Sequence, residues 1–235
     1  MTEHQSVERI SGRARVAFTC EHAAQTMPSG LAWPEADLRL VDTHWAYDLG
    51  AAELTRELAR AAGAAAVLSN FSRLVVDPNR PEDSDTLFRQ HAEGLPVLLN
   101  QDVSAQDRNH RLTKCYRPYH EAVDETLSAG PELAFSVHSF TPLYEGEPRT
   151  LEVGVLFDES EDEAVELTRV LRDAGFRTEL NEPYSGKLGL MYCIDRHART
   201  HGMPSLELEV RQDLAVDPAV RARLVKALTS YFAKG

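Results

Sequence analysis

Leu-Ala-Phe-Ser-Val-His-Ser-Phe, residues Leu133 to Phe140, is an apolar run that ends in a histidine with Ser136 two residues before it and Ser139 next to it. Its length, its Phe and Val content and the Gly130-Pro131 turn signal before it favour a buried strand over a helix. Open α/β sheets bind ligands outside the carboxyl ends of such strands, so His138 is a candidate metal ligand. A lone histidine at a strand end is more often a hydrogen-bonded core or rim residue, and the decision rests on partners elsewhere in the chain.

Towards the amino terminus, Arg15 to Cys20 reads as the first core strand, and its exit delivers His22. Asp42 to Asp48 leads into a helix over Leu49 to Ala62, with Leu54, Leu58 and Ala61 on one stripe and Gly63 as its stop. Asp48 falls in the first turn, where a carboxylate either offsets the helix dipole or is carried as a ligand. Ala64 to Ser69 and Leu74 to Asp77 read as two short strands. The second runs into Pro78-Asn79-Arg80-Pro81, whose prolines constrain an arginine suited to a two-pronged grip on a carboxylate. Glu82 to Asn109 is a polar excursion, expected to hold a short helix around Thr86 to Ala92 and to form a lid or rim.

Beyond it, Tyr116 to Ser128 reads as a helix with Tyr119, Val123 and Leu127 on its core stripe. His120 and the tyrosines are expected to form a hydrogen-bonded platform beneath the Leu133 to Phe140 strand. Strands over Thr150 to Phe157 and Arg177 to Leu180 flank a helix over Asp162 to Gly175, whose core face is Val165, Leu167, Val170 and Leu171. A loop carrying Tyr184, a helix from Met191 to His201, a strand from Ser205 to Val210 and a helix from Pro218 to Phe232 capped by Asp217 complete the chain. Alternation in the last strand puts Leu206, Leu208 and Val210 on one face and Glu207, Glu209 and Arg211 on the other. Strands of alternating β/α chains are usually covered on both faces, so Glu209 is a candidate catalytic acid. With no repeat or linker, residues 1–235 are expected to form one α/β domain.

The 235 residues, 43% of them hydrophobic, are enough for a substantial core, and the net charge of -12 argues against nucleic acid or an anionic membrane as partner. No apolar run approaches the ~18 residues of a membrane-spanning helix, and the start lacks a basic-then-apolar pattern, so the expected compartment is the cytoplasm. Cys20, Cys115 and Cys193 show no CxxC spacing, which predicts neither a disulfide framework nor a thiolate zinc site. Cys20, close to His22, is read as a buried residue and not as a nucleophile.

Taken in order, His22, Asp48, Val76-Asp77-Pro78-Asn79-Arg80, Ser136-Val137-His138-Ser139 and Glu209-Val210-Arg211 resemble the N-formylglutamate amidohydrolase family over about residues 16 to 230. That family is similar in turn to the zinc carboxypeptidases, which share an Asn-Arg pair for the substrate carboxylate, a His-Ser strand end and a late Glu-x-Arg strand. The resemblance implies a single-domain three-layer α/β/α sandwich around a mixed, mostly parallel sheet. It implies zinc held by His22, His138 and a carboxylate. The carboxypeptidase His-x-x-Glu is here His22 to Gln25, so the carboxylate comes from elsewhere. Asp48, three residues after Trp45, resembles the family's acidic residue at this helix start, and Glu21 is the alternative.

By the same resemblance, Glu209 is the general base, Arg80 with Asn79 binds the substrate carboxylate, Arg73 or Arg211 steadies further negative charge, and Tyr184 closes over the substrate. The implied activity is hydrolysis of an N-formyl or N-acyl amino acid such as N-formylglutamate, giving formate and the amino acid. Two rivals stand beside it: a zinc hydrolase of another N-acyl amino acid or small peptide, and a non-catalytic binding protein that keeps the fold.

Overall fold

In the computed structural model, which describes residues 5–144 and 146–233, the Leu133 to Phe140 run is the middle strand of a seven-stranded sheet. The strands are β1 (Val7–Ile10), β2 (Val16–Cys20), β3 (Ala65–Ser69), β4 (Leu133–Phe140), β5 (Val153–Leu156), β6 (Thr178–Leu180) and β7 (Ser205–Arg211). Their order is β1-β3-β2-β4-β7-β5-β6. β3, β2, β4 and β7 run parallel; β1 is antiparallel to β3, and the parallel pair β5 and β6 runs antiparallel to β7. The sheet is therefore mixed and mostly parallel, and the acidic strand β7 is flanked on both sides.

The longer helices are α1 (Ala51–Ala62), α2 (Ala105–Arg111), α3 (Arg117–Ser128), α4 (Glu161–Asp173), α5 (Tyr192–His201) and α6 (Pro218–Phe232), with a single turn at Gln212–Ala215 before the last. Each strand sends alternate residues to opposite faces. Phe18, Phe135, Val155, Leu206 and Leu208 pack on one side with α1, α4 and α6. There Phe18, Phe135 and Phe232 meet edge to face with ring centroids 5.1 to 5.8 Å apart, the geometry that aromatic quadrupoles favour. Ala17, Val67 and Ala134 face the other side, where α3, α5 and the residues around 71 to 99 form the third layer. Asp217 caps α6 by accepting from the Ala219 and Val220 amides, as its sequence predicts. Among the described residues, no helix is long and apolar enough to cross a membrane.

The third layer departs from the pattern. Leu74 to Val76 are buried but pair with no strand among the described residues: the Leu74 carbonyl accepts from Asn100 and the Val75 carbonyl from Arg111. Buried backbone needs partners of some kind, and here long-range side chains replace a ladder. The expected helix around Thr86 to Ala92 is a series of turns and a two-residue ribbon, His91–Ala92 with Leu95–Pro96. The helix of this region is instead α2, capped by Ser104 and joined to α3 through a π-helical turn over Leu112–Tyr116. Ala61 and Val165 are exposed, so the buried faces of α1 and α4 are narrower than their apolar patterns.

Candidate active site

On the face covered by α3 and α5, the strands change from apolar to charged along their length. β2 runs Ala17 then Thr19, β4 runs Ala134, Ser136, His138, and β7 runs Ser205, Glu207, Glu209. Register sets Thr19 beside Ser136, Ser136 beside Glu207 and His138 beside Glu209. Just past the end of β2, the His22 carbonyl accepts the Asp48 amide at 2.9 Å, which pins the Asp48 segment to the strand exit. Asp48 is not in the first helical turn. α1 starts at Ala51, after Gly50 at φ 80, whose α-carbon lies so close to the Ala215 backbone that a side chain has no room. Freed from capping, the Asp48 carboxylate turns to the histidines.

Asp48 Oδ2 lies 2.8 Å from His138 Nδ1, 3.4 Å from His22 Nδ1 and 3.3 Å from the Ser139 amide, which donates to it. The far nitrogen of each ring meets its own carboxylate: His138 Nε2 is 2.9 Å from Glu21 Oε2, and His22 Nε2 is 2.8 Å from Asp77 Oδ1. A carboxylate behind an imidazole fixes its orientation and aims the other nitrogen at a metal. Among the described residues His22 Nδ1 is buried without a hydrogen-bond partner, at the point where ligand atoms of the three side chains converge within 4.8 Å. Two histidines and a carboxylate are a catalytic zinc donor set, so the residues fit the metal that the resemblance implies. Glu21, the alternative ligand, stands on the far side of His138 from Asp48, held by Ser136 Oγ at 2.5 Å and Tyr119 at 3.3 Å.

Burial opposes charge on every group here, and neighbours decide the outcome. For Glu21 burial is outweighed by hydrogen bonds from His138 and Ser136, which hold its carboxyl down at about 2. Asp48 and Asp77 are likewise held below their usual range against burial, Asp48 by His22 and His138, Asp77 by Arg73 and His22. His138, despite burial, is raised by Glu207, Asp48 and Glu21. Both ring nitrogens of His138 thus face a carboxylate, Nδ1 that of Asp48 and Nε2 that of Glu21. Glu207 is pushed up to about 7 and Glu209 well above its ordinary value, both chiefly by burial. One oxygen of each lacks a hydrogen-bond partner among the described residues.

His22, Asp48, His138, Glu207 and Glu209 line a cavity of about 670 Å³ with Arg73, Asn79, Arg80, Arg89, His44, Trp45, Phe140, Tyr144 and Tyr184, while Glu21 and Asp77 stand behind its wall. Arg73 holds Asp77 with two nitrogens, at 2.8 and 3.2 Å. Both ends of the Asn79 amide are engaged, Nδ2 with the Leu190 carbonyl and Oδ1 with the Cys193 amide, so Asn79 fastens the Arg80 loop to the start of α5. Arg211 is not among the lining residues: its guanidinium binds Asp213 and the carbonyls of Arg149 and Leu151. Tyr184 is on the rim, its ring 5.6 Å from the Arg149 guanidinium. Its loop is seated by Gly154, the β5 residue opposite Glu209, where the Glu182 carbonyl occupies the space a side chain needs.

His44, Trp45, Asp77, Arg89 and Glu207 belong to this setting and were not among the predicted site residues. Asp77 and Glu207 carried a signal, one inside the Val-Asp-Pro-Asn-Arg motif and the other one alternation step from Glu209. His44, Trp45 and Arg89 lie in irregular segments, where no period marks a direction.

The family model described as N-formylglutamate amidohydrolase matches residues 14–216. The chain belongs to that family. N-formylglutamate deformylase of Pseudomonas putida is 30% identical over 141 residues, a match that takes in 48% of this chain and 52% of that protein. The chain thus aligns with about half the length of this curated relative. A gene product of Agrobacterium tumefaciens of known structure superposes with a TM-score of 0.87 at 29% identity, over 98% of this chain and 94% of that one. N-formylglutamate amidohydrolase of Ralstonia eutropha JMP134 shares the fold with a TM-score of 0.70 at 19% identity, over 97% and 96%.

Proposed function

We propose that the chain is a zinc-dependent amidohydrolase that cleaves an N-formyl amino acid, N-formylglutamate being the first candidate, to formate and the free amino acid. The observation that carries this reading is the convergence of His22, Asp48 and His138, each histidine backed by a carboxylate, on a cavity walled by arginines. His22 and His138 through Nδ1, with Asp48, would hold the metal. Zinc bound by such a set keeps an open position, polarises a carbonyl oxygen and lowers the pKa of a bound water to about 7.

Glu209, one strand from His138, accepts the proton of the attacking water and returns it to the leaving amine. Burial favours its protonated form, and positive charge gathered at the His22, Asp48 and His138 centre favours the carboxylate that a base requires. Arg80 grips the substrate α-carboxylate, positioned by Asn79 behind it. Arg89 is placed for a second carboxylate, while Arg73 holds Asp77 and so orients His22. Tyr184 closes the rim and keeps bulk water out.

The test is release of the free amino acid, together with formate or the corresponding carboxylic acid, from a panel of N-formyl, N-acetyl and longer N-acyl amino acids by zinc-loaded protein, with and without a free carboxylate. Activity highest on N-formylglutamate and lost on chelation supports the reading. A preference for another acyl group reassigns the substrate, and a loaded protein inert on the whole panel is a binding protein.

A further inference from the structure

Behind the Arg80 loop lies a second cluster of metal-binding side chains, His120 on α3 with Cys193 and His197 on α5. All three are buried, and their ligand atoms lie within 4.8 Å of one another. His120 Nδ1 is 2.9 Å from His197 Nε2 and 3.9 Å from Cys193 Sγ. Tetrahedral zinc with N and S ligands at ~2.0 and ~2.3 Å needs similar spans. His197 Nδ1 lies 3.5 Å from Asp124 Oδ1, the same carboxylate-backed arrangement that orients His22 and His138. The cysteine spacing predicts no thiolate site, because Cys193 meets its partners only through the packing of α3 on α5.

We propose that His120, Cys193 and His197 form a second metal site, for zinc or another borderline-to-soft divalent ion, separate from the catalytic centre. Softness follows from the donor set, two imidazoles and a thiolate. The histidines are ready as ligands: burial pushes His120 down to about 3 and lowers His197, so both are neutral with free lone pairs. Cys193 is a thiol, raised by burial and by Glu21 beside it, and a cation removes the cost of its negative charge. The proton balance closes. Metal binding forms the metal–sulfur bond and releases the Cys193 proton to solvent. The hydrogen that His120 Nδ1 shares with His197 reappears at His120 Nε2, a buried atom with no partner among the described residues. The ion ties α3 to α5 beside Asn79, whose Oδ1 accepts the Cys193 amide at 3.0 Å, and so braces the Arg80 loop.

Cobalt(II) is the probe, since only a thiolate ligand produces a sulfur-to-cobalt charge-transfer band in the near ultraviolet and the first centre has no thiolate. Metal-free, reduced protein titrated with cobalt should develop this band. It should vanish in Cys193→Ser and persist in Asp48→Asn, in Cys20→Ser and in Cys115→Ser. A band absent from the parent, or unaffected by Cys193→Ser, overturns the site. X-ray absorption of zinc-loaded parent protein needs no variant: sulfur scattering at about 2.3 Å is expected, and purely nitrogen and oxygen scattering rejects the proposal even if Cys193→Ser fails to fold.

Discussion

His22 and His138 meet with ring centroids 4.8 Å apart, His120 and His197 with centroids 5.2 Å apart, and all four side chains are 6% exposed or less. His138 and His120 are nevertheless shifted in opposite directions. His138 is raised well above its ordinary value although burial opposes this, because Glu207, Asp48 and Glu21 surround it. His120 is pushed down to about 3 by burial, with His197 and Arg196 adding to the effect. Burial alone removes an imidazole's proton; buried carboxylates restore it. One pair is therefore embedded in negative charge that calls for a cation, and the other rests as a neutral hydrogen-bonded pair.

The largest effect expected from this difference is catalytic. Glu209→Gln keeps shape and hydrogen bonding but removes the proton acceptor, so kcat on the best N-acyl substrate should fall by ~10² to 10⁴, with zinc content unchanged. Loss of zinc in this variant would make Glu209 a ligand, and full activity would leave the carboxylates around His138 as charge balance only. Next is stability. His138→Ala strips Glu21 and Asp48 of their counter-charge and should destabilise the metal-free protein by ~3 to 5 kcal/mol, the cost of breaking a buried charge pair. His120→Ala removes a neutral hydrogen-bonded partner and should cost ~1 to 3 kcal/mol. Equal losses in urea unfolding would break the comparison.

Arg80→Lys keeps the charge and loses the fork, so kcat/KM should drop by ~2 to 4 kcal/mol with folding intact. An equal loss on substrates whose carboxylate is amidated would rule out the grip. The smallest effect is pH dependence in the metal-free protein. His120 is depressed to about 3 in the folded chain, so its contribution is present above an unfolded value of ~6.5 and lost as pH falls below that. His138 is raised, so its contribution is complete below ~6.5 and lost as pH rises through its folded value. Glu207 and Glu209, raised in the folded chain, act in the opposite sense over this range, so the expected signature is a difference: between pH ~4.5 and ~6.5 the unfolding free energy should rise more steeply with pH, or fall less, in the parent than in His120→Asn. A slope unchanged by that substitution would remove His120 from the account.

Much of this was legible where periodicity was strong. Leu133 to Phe140 and Ser205 to Arg211 alternate between core and site faces, and Pro218 to Phe232 carries its own cap and first-turn proline. Those signals are local, so the strands that bear His138 and Glu209 could be drawn before their partners were known. Leu74 to Asp77 misled because β-branched and apolar residues mark burial as readily as pairing, and the Asn100 and Arg111 side chains that satisfy this segment are distant in sequence. Asp48 was named as a ligand from resemblance, yet its placement depends on Gly50 meeting Ala215, a contact no spacing records. Cys193 and His197 were passed over for the same reason: four residues apart on α5, they acquire chemical meaning only when α3 brings His120 against them.

Gly154 places a constraint on the cavity that involves no charged group. The Tyr184 loop rests where this residue has no side chain, directly across the strand pair from Glu209. A single methyl introduced there has to displace the Glu182 backbone, and with it the tyrosine that forms part of the cavity wall. The width of the pocket mouth is thus set from beneath, by an omission in a sheet strand, and can be altered at a position that does not itself line the cavity.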